Sequence, residues 1–475
     1  MIIINGTKHK AFEEKMMNRK YIVLLLFFWA VVDSSNSFSQ TKMTLTLQNS
    51  IEIALKQNPE IKMAEKELSK AKSDIGIAYS NILPKLDGSV NLQHNWIVQE
   101  STIPNFIKAM MGPAAPPGMP DYVRIAFGLE NTMTYGATVS QPLYLGGAGI
   151  AGIKAATALK RAMEQNLEAK HQDLIFRTVN AFYTCLLTKE LISVQEEALA
   201  QAKANLDVVS KKTDAGTASG FDKMRARVEV ANLQPAVISA KNSLQIALTQ
   251  LRTILGLNRD SQIEVSGEFI YTQDMFDTMS LKELQDLAMQ NRPELRALTE
   301  QKTATEKGIS IAQSEFKPKL FFSSDYSFLA MRNNLKFGQN DFSKGFTSGF
   351  SLQIPLFNGF RSAKQYQKAQ MDYKIIIDSQ KQANDGILAE AEVAYNKFIE
   401  AKEKLLSANE TIALAKESLR LANLMYDEGT NTQVDVLSAQ LAVTQAQMNY
   451  VTSLYEYQVA RYGLRKATGQ LKGIL

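Results

Sequence analysis

Residues 426–437 read Tyr426-Asp-Glu-Gly-Thr-Asn-Thr-Gln-Val-Asp-Val-Leu437. A glycine that closes a helix-forming stretch, then a threonine with an acid three residues on, is how one helix stops and another starts. Working outward, Gly429 stands six residues before Asp435, Asp435 stands 34 before Gly469, and Pro355 stands 74 before Gly429. The same intervals separate Gly216 from Asp222, Asp222 from Gly256, and Pro142 from Gly216. Pro59 and Pro84 are 25 apart, as are Pro293 and Pro318. Only Pro84–Pro142 (58 residues) and Pro318–Pro355 (37) differ, by 21. A difference confined to one interval is a surface loop on a duplicated scaffold.

Each copy opens with two helices, over 47–57 and 60–81 in the first and 281–291 and 294–316 in the second, parted by Asn58-Pro59 and Arg292-Pro293 because proline cannot continue the earlier helix. After Pro84 and Pro318 the period becomes two. Leu86, Val90, Leu92 and Trp96 alternate with Asp87, Ser89, Asn91 and Gln93, and the returning strand sets Met133, Tyr135 and Val139 against Thr132, Thr134 and Thr138. In the second copy Phe322, Tyr326 and Phe328 oppose Ser323, Asp325 and Ser327, and the return sets Phe346, Phe350 and Leu352 against Thr347, Ser351 and Gln353. Alternation of this length with aromatics on the apolar side is an outer-membrane strand pattern, although a half-buried soluble sheet alternates identically. The connector 102–131 holds five prolines and reads as an irregular exposed loop.

Beyond Pro142 and Pro355 the period changes again. Residues 148–213 and 361–426 contain no proline and are rich in Ala, Gln, Glu, Lys and Leu, which predicts helical rods of roughly 100 Å. Return helices are predicted over 220–255 and 433–468, with a kink at Pro235. Helices this long must pack along their length as coiled coils.

The 475 residues are 45% apolar with a formal charge of +5, a folded composition too weakly basic to imply nucleic acid. Cys185 is the single cysteine and reads as a packing residue; His9, His94 and His171 are scattered, so no metal, cofactor or catalytic constellation is expected. Arg19-Lys20, the apolar run 21–32 and the small polar residues up to Gln40 read as a signal peptide over 1–40, with Met16 or Met17 as the true start. Nothing after Gln40 approaches ~20 consecutive apolar residues, so a membrane could be crossed only as a β-barrel.

The domains expected are therefore a first repeat over 41–257, with β-hairpin 85–142 and helical hairpin 148–255; a linker at 258–280 that forms a belt; a second repeat over 281–470, with β-hairpin 319–355 and helical hairpin 361–468; and a tail, 471–475. The fold class is a membrane β-barrel joined to a long α-helical coiled-coil barrel. One chain supplies four strands, too few to close a barrel, so copies must share one. A secreted, periplasmic trimeric coiled-coil scaffold with soluble sheets is the competing reading.

The segment 426–437 closely resembles the helix-tip motif of TolC-type outer membrane efflux proteins. Gln141-Pro-Leu-Tyr-Leu-Gly-Gly147 and Ile354-Pro-Leu-Phe-Asn-Gly359 resemble that family's strand-to-helix junctions, and the resemblance spans 44–470. It implies a homotrimer with a twelve-stranded barrel in the outer-membrane lipid of a Gram-negative bacterium and a twelve-helix periplasmic tunnel. It also implies an exit duct for tripartite efflux pumps or type I secretion, fed by an inner-membrane transporter (RND, ABC or MFS type) through a periplasmic adaptor, the membrane fusion protein. By the same resemblance Gly216, Thr217, Gly429 and Thr430 are adaptor-docking candidates, and Asp435, Asp222, Tyr426 and Asn431 form the gate; Trp96, Tyr135, Phe322, Tyr326 and Phe350 become the lipid-facing aromatics of the barrel. Turn geometry alone also explains both glycines, and helix capping explains both aspartates. The family carries arginine where this chain has Asn431 and a second aspartate where it has Ser438. A more loosely latched entrance with a single acidic ring follows, because a neutral hydrogen bond from Asn431 is weaker by about half.

Overall fold

The computed structural model describes residues 43–471. The signal peptide and all but the first residue of the expected tail lie outside them. The described residues begin with β1 (Met43–Leu45), α1 (Leu47–Gln57) and α2 (Pro59–Ser80). Asn58 starts α2 by accepting from the Glu60 amide at 2.7 Å, and Pro59 takes the first-turn position, where its missing N–H costs nothing.

The strands β2 (Lys85–His94), β5 (Asn131–Leu145), β7 (Lys319–Arg332) and β8 (Ser343–Gln353) form one antiparallel sheet in the order β2-β5-β7-β8. The two hairpins are thus welded through β5 and β7, whose register pairs Tyr135 with Phe328. β2 and β8 are the edges. A bulge between Pro142 and Tyr144 re-aims the end of β5 just before it turns into a helix.

The connector expected to be irregular is instead built. β3 (Glu100–Pro104) pairs antiparallel with β4 (Tyr122–Ala126), and α3 (Phe106–Met111) sits between them. Asn105 caps α3 by accepting from the Lys108 amide and donates to the Pro120 carbonyl at 3.0 Å, while the Lys108 ammonium reaches Met119 O and Asp121 at 2.6 and 2.7 Å. The four later prolines crowd into the turn between α3 and β4, where no ladder needs their amides.

The rods α4 (Ala148–Asp214) and α8 (Arg361–Asp427) are 67 residues each. Their returns are α5 (Gly220–Leu255), which runs on through Pro235, and α9 (Gln433–Ala467). α4 packs on α5 and α2 of its own repeat, and also on α7 (Pro293–Ser314), which follows α6 (Leu281–Asn291) in the second repeat. α8 packs on α9, α6 and α7.

Midway along the rods lies the core. Leu45, Ile51, Leu174, Phe182, Leu251, Leu255 and Val265 form one buried cluster, and Phe276, Leu284, Phe398 and Tyr457 another. The segment between α5 and α6 crosses this level. β6 (Ile263–Val265) pairs parallel with β1, and the following stretch is bound to α9: Tyr457 donates to Thr272 O at 2.9 Å, Gln458 to Ile270 O at 2.7 Å, and Arg461 and Arg465 both grip Asp274 at 2.6 and 2.9 Å. Among the described residues no helix is long and apolar enough to cross a membrane.

Candidate functional site

The sheet separates its side chains cleanly. Register places Leu92–Met133–Ala330 and Val90–Tyr135–Phe328 in rows on one face, with Tyr326–Phe346 and Phe322–Phe350 alongside. Tyr135 stacks on Phe328 with ring centroids 4.7 Å apart, and Phe322 lies 5.3 Å from Phe350. The opposite face carries Asp87–Thr138–Asp325–Thr347, where the Thr138 hydroxyl donates to Asp325 at 2.8 Å. Trp96 lies beyond the end of β2 rather than within it, its ring edge-on to His94.

At the far ends of the rods, the two tips are built alike. Gly216 and Gly429 adopt φ of +77° and +78°, which a residue with a Cβ resists. The amides of Thr217 and Thr430 donate back to Lys212 O and Met425 O at 2.8 and 2.9 Å, and their hydroxyls donate to the same carbonyls. Ser219 and Asp222 exchange bonds reciprocally at the start of α5; at the start of α9, Asp435 accepts from the Thr432 hydroxyl at 2.6 Å and the Thr432 amide at 2.9 Å. The Thr432 hydroxyl first, and then its amide, hold the Asp435 carboxyl below its usual range. Both aspartates therefore cap helices; Asp435 is exposed at its tip, whereas Asp222 is half-buried.

Asn431 does not reach Asp222. Its amide instead donates to Met425 Sδ at 3.8 Å, within its own turn. The bond between the hairpins comes from a residue the sequence did not single out. Lys212, near the end of α4, sits over the Tyr426 ring at 4.0 Å from its centroid, donates to Tyr426 O at 3.4 Å and pairs with Asp427 at 3.1 Å. Burial raises the Tyr426 phenol, the Lys212 charge draws it back, and Asp222 and Asp427 add to the rise. Four of these groups thus share one small electrostatic cluster. Nothing in the local sequence pairs Lys212 with a partner 214 residues away.

Cys185 is buried in the core, and burial pushes its thiol up to about 12, far from reactive. Among the described residues no group of three or more His, Cys, Asp or Glu side chains is arranged to hold a metal.

The family model described as "Outer membrane efflux protein" matches residues 50–257 and 284–470 of this chain. The chain belongs to that family. Outer membrane protein TolC of Vibrio cholerae is 25% identical over 344 residues, 72% of this chain and 78% of its own length. Cobalt-zinc-cadmium resistance protein CzcC of Cupriavidus metallidurans is 22% identical over 338 residues, 70% of this chain and 76% of its own. The solved Campylobacter jejuni CmeC outer membrane channel shares the fold with a TM-score of 0.73 at 19% identity, over 89% of this chain and 85% of that one. As an outer membrane efflux protein of TolC type, the chain is an exit duct of Gram-negative efflux and secretion systems, placed in the outer membrane with a long periplasmic tunnel. The family is one of transport channels, not of enzymes.

Proposed function

We propose that three copies of this chain close a twelve-stranded barrel and a twelve-helix tunnel, passively conducting cargo delivered by an inner-membrane transporter through a periplasmic adaptor. The carrying observation is the sheet itself. It is apolar on one face, polar on the other, and unpaired along β2 and β8, and open edges are not tolerated in lipid. The inter-repeat contact inside the chain supplies a template for closing it. There β5 pairs with β7, and α4 lies on α7. The equivalent contact between copies pairs β8 with β2 of the next copy and lays α8 on its α2. The burial pattern supports this: α4 has 18 buried residues and α8, of equal length, has seven, as a rod with one flank still uncovered should.

Carrying the Tyr135–Phe328 register across by the repeat offsets (Pro142 to Pro355 and Pro84 to Pro318) sets Phe350 opposite Leu92 of the next copy, and Phe346 opposite Trp96. The apolar face then turns to lipid, with Tyr135, Phe322, Tyr326 and Phe350 on it and Trp96 at its rim. The Asp325 face turns to the lumen.

At the tunnel's periplasmic end, Asp435 forms an acidic ring that attracts cations, with Asp222, Tyr426 and Lys212 latching the two hairpins around it. The exposed turns Gly216-Thr217 and Gly429-Thr430 meet the adaptor. Cargo class belongs to the transporter; the CzcC likeness makes metal ions one candidate alongside drugs and polypeptides.

The test is the paired substitution Leu92→Cys with Phe350→Cys. Direct cross-strand neighbours have Cβ atoms about 5 Å apart, close enough to oxidise to a disulfide, and buried Cys185 will not compete. A covalent ladder that stops at three chains is expected, with none from either single variant. A ladder continuing past three, or no cross-link in bilayer-reconstituted protein, overturns the assembly.

A further inference from the structure

The two strand-to-helix junctions share a plan but not a surface. In the first, Gly146 and Gly147 lead into α4 at φ of +66° and +96°. In the second, Gly359 is followed by Phe360 at φ +65°, the one non-glycine residue at positive φ among those described. Left-handed backbone is costly for a residue with a Cβ. Phe360 recovers little of that cost inside the chain: it is 68% exposed and meets Phe357 edge-on at 5.4 Å. Phe357 and Leu356 are 76% and 92% exposed. This patch continues the apolar face of β8, through Phe350 and Leu352, past the end of the sheet. Exposed Arg361 and Lys364 stand on the first turn of α8 beside it. The carboxylate bordering the small cavity beneath, Glu315, is paired with Lys319 at 2.8 Å.

A neighbouring copy or lipid could cover such a patch, and the first junction separates the two because its neighbour is already in place. There a Cβ on Gly146 would stand 2.7 Å from Ser314 O at the end of α7, whereas a Cβ on Gly147 would meet nothing within 4 Å. Leu143 and Tyr144 stay half-exposed, at 50% and 49%, despite that neighbour. Transferred to the seam between copies, Gly359 faces the next copy's α2 end, while Phe360, at the Gly147 position, points into open space. Phe357 and Leu356 keep about the exposure of Tyr144 and Leu143.

We propose that Leu356, Phe357 and Phe360, with Arg361 and Lys364, form a binding surface for anionic phospholipid at the periplasmic-leaflet boundary. The rings and the leucine enter the acyl–headgroup interface, and the two cations hold the phosphate. The strained backbone at Phe360 is retained because it turns that ring outward. The proposal rests on the barrel reading above.

The test reconstitutes the full-length assembly in nanodiscs of phosphatidylcholine alone or mixed with phosphatidylglycerol, and counts retained lipid by native mass spectrometry. Phe360→Gly accepts the same φ without strain, so it is expected to fold and assemble as wild type in detergent. Wild type is expected to retain phosphatidylglycerol over phosphatidylcholine. Phe360→Gly should retain severalfold less of either lipid, and Arg361→Gln with Lys364→Gln should lose the preference for phosphatidylglycerol alone. Retention by Phe360→Gly equal to wild type, or an unchanged preference in the charge variant, overturns the proposal. Failure of every form, wild type included, to enter nanodiscs would strike the barrel reading instead and take this proposal with it.

Discussion

The middle of the tunnel and its tips are made from the same four helices and held in opposite ways. At the middle, Phe398 and Tyr457 are fully buried, and Asp274, its side chain 2% exposed, is gripped by two arginines of α9. At the tips each hairpin satisfies itself through its own caps, and the hairpins are joined to each other by Lys212 on Tyr426 and Asp427. Burial makes the first region cooperative; exposure makes the second cheap to open. The gate proposed at the tips relies on that contrast, with the proposed ring held closed at the middle while its lower ends move apart.

Three substitutions can break or sharpen this contrast. Phe398→Ala should cost about 3–5 kcal/mol by chemical or thermal denaturation, since it opens a cavity among Phe276, Tyr457 and their neighbours. A loss no larger than that of a tip substitution would erase the distinction.

Next comes Asp274→Asn, at about 3 kcal/mol near neutral pH, since it leaves two arginines facing a lost charge. Burial pushes the Asp274 carboxyl up, but the hydrogen bonds and charges of Arg465 and Arg461 outweigh it and hold the group below its ordinary range. A depressed folded value means that its stabilisation is full above the unfolded carboxylate range, near about 4, and drains as pH falls through the folded value. The wild type should therefore show an acid limb in its pH–stability profile that the variant lacks. Identical profiles would remove Asp274 from the account.

The smallest stability effect belongs to Lys212→Met, below about 1 kcal/mol, because the Asp427 carboxylate it pairs with is solvent-exposed. Its functional effect should be the larger one. Single-channel conductance in planar bilayers is expected to rise, and the exchange Lys212→Asp with Asp427→Lys should return it toward wild type. A Lys212→Met channel that conducts like wild type would mean that the tips are held by something other than this contact.

Much of the architecture was legible because it is local. An uninterrupted run of strong helix formers between Pro142 and Gly216 has no cheaper conformation than a helix, and alternation along Phe346–Leu352 assigns faces whatever the strand pairs with. The capping roles of Asp222 and Asp435 follow from a three-residue spacing. The connector at 102–131 misled because its prolines signal broken backbone, while β3 and β4 find each other across the loop through bonds that leave no periodic trace. Lys212 was hidden for the same reason: a lysine near a helix end reads like any solvated charge until a second hairpin is brought beside it. Phe360 was hidden differently, occupying a backbone conformation for which sequence logic expects glycine.

By itself, then, the chain's pattern determined the rods, the strand faces and the turning points, all properties of residues within a few steps of one another, and the duplication, read from the same intervals recurring in both halves. The tertiary structure decided that β5 meets β7, that Asn431 bonds within its own turn, that Lys212 bridges the hairpins, and that Phe360 turns outward. The pairing of β5 with β7 and the Lys212 bridge depend on which distant surfaces are brought within a few ångströms. Sequence spacing carries no information on that, because contact energies fall off over the width of a side chain while the partners lie hundreds of residues apart.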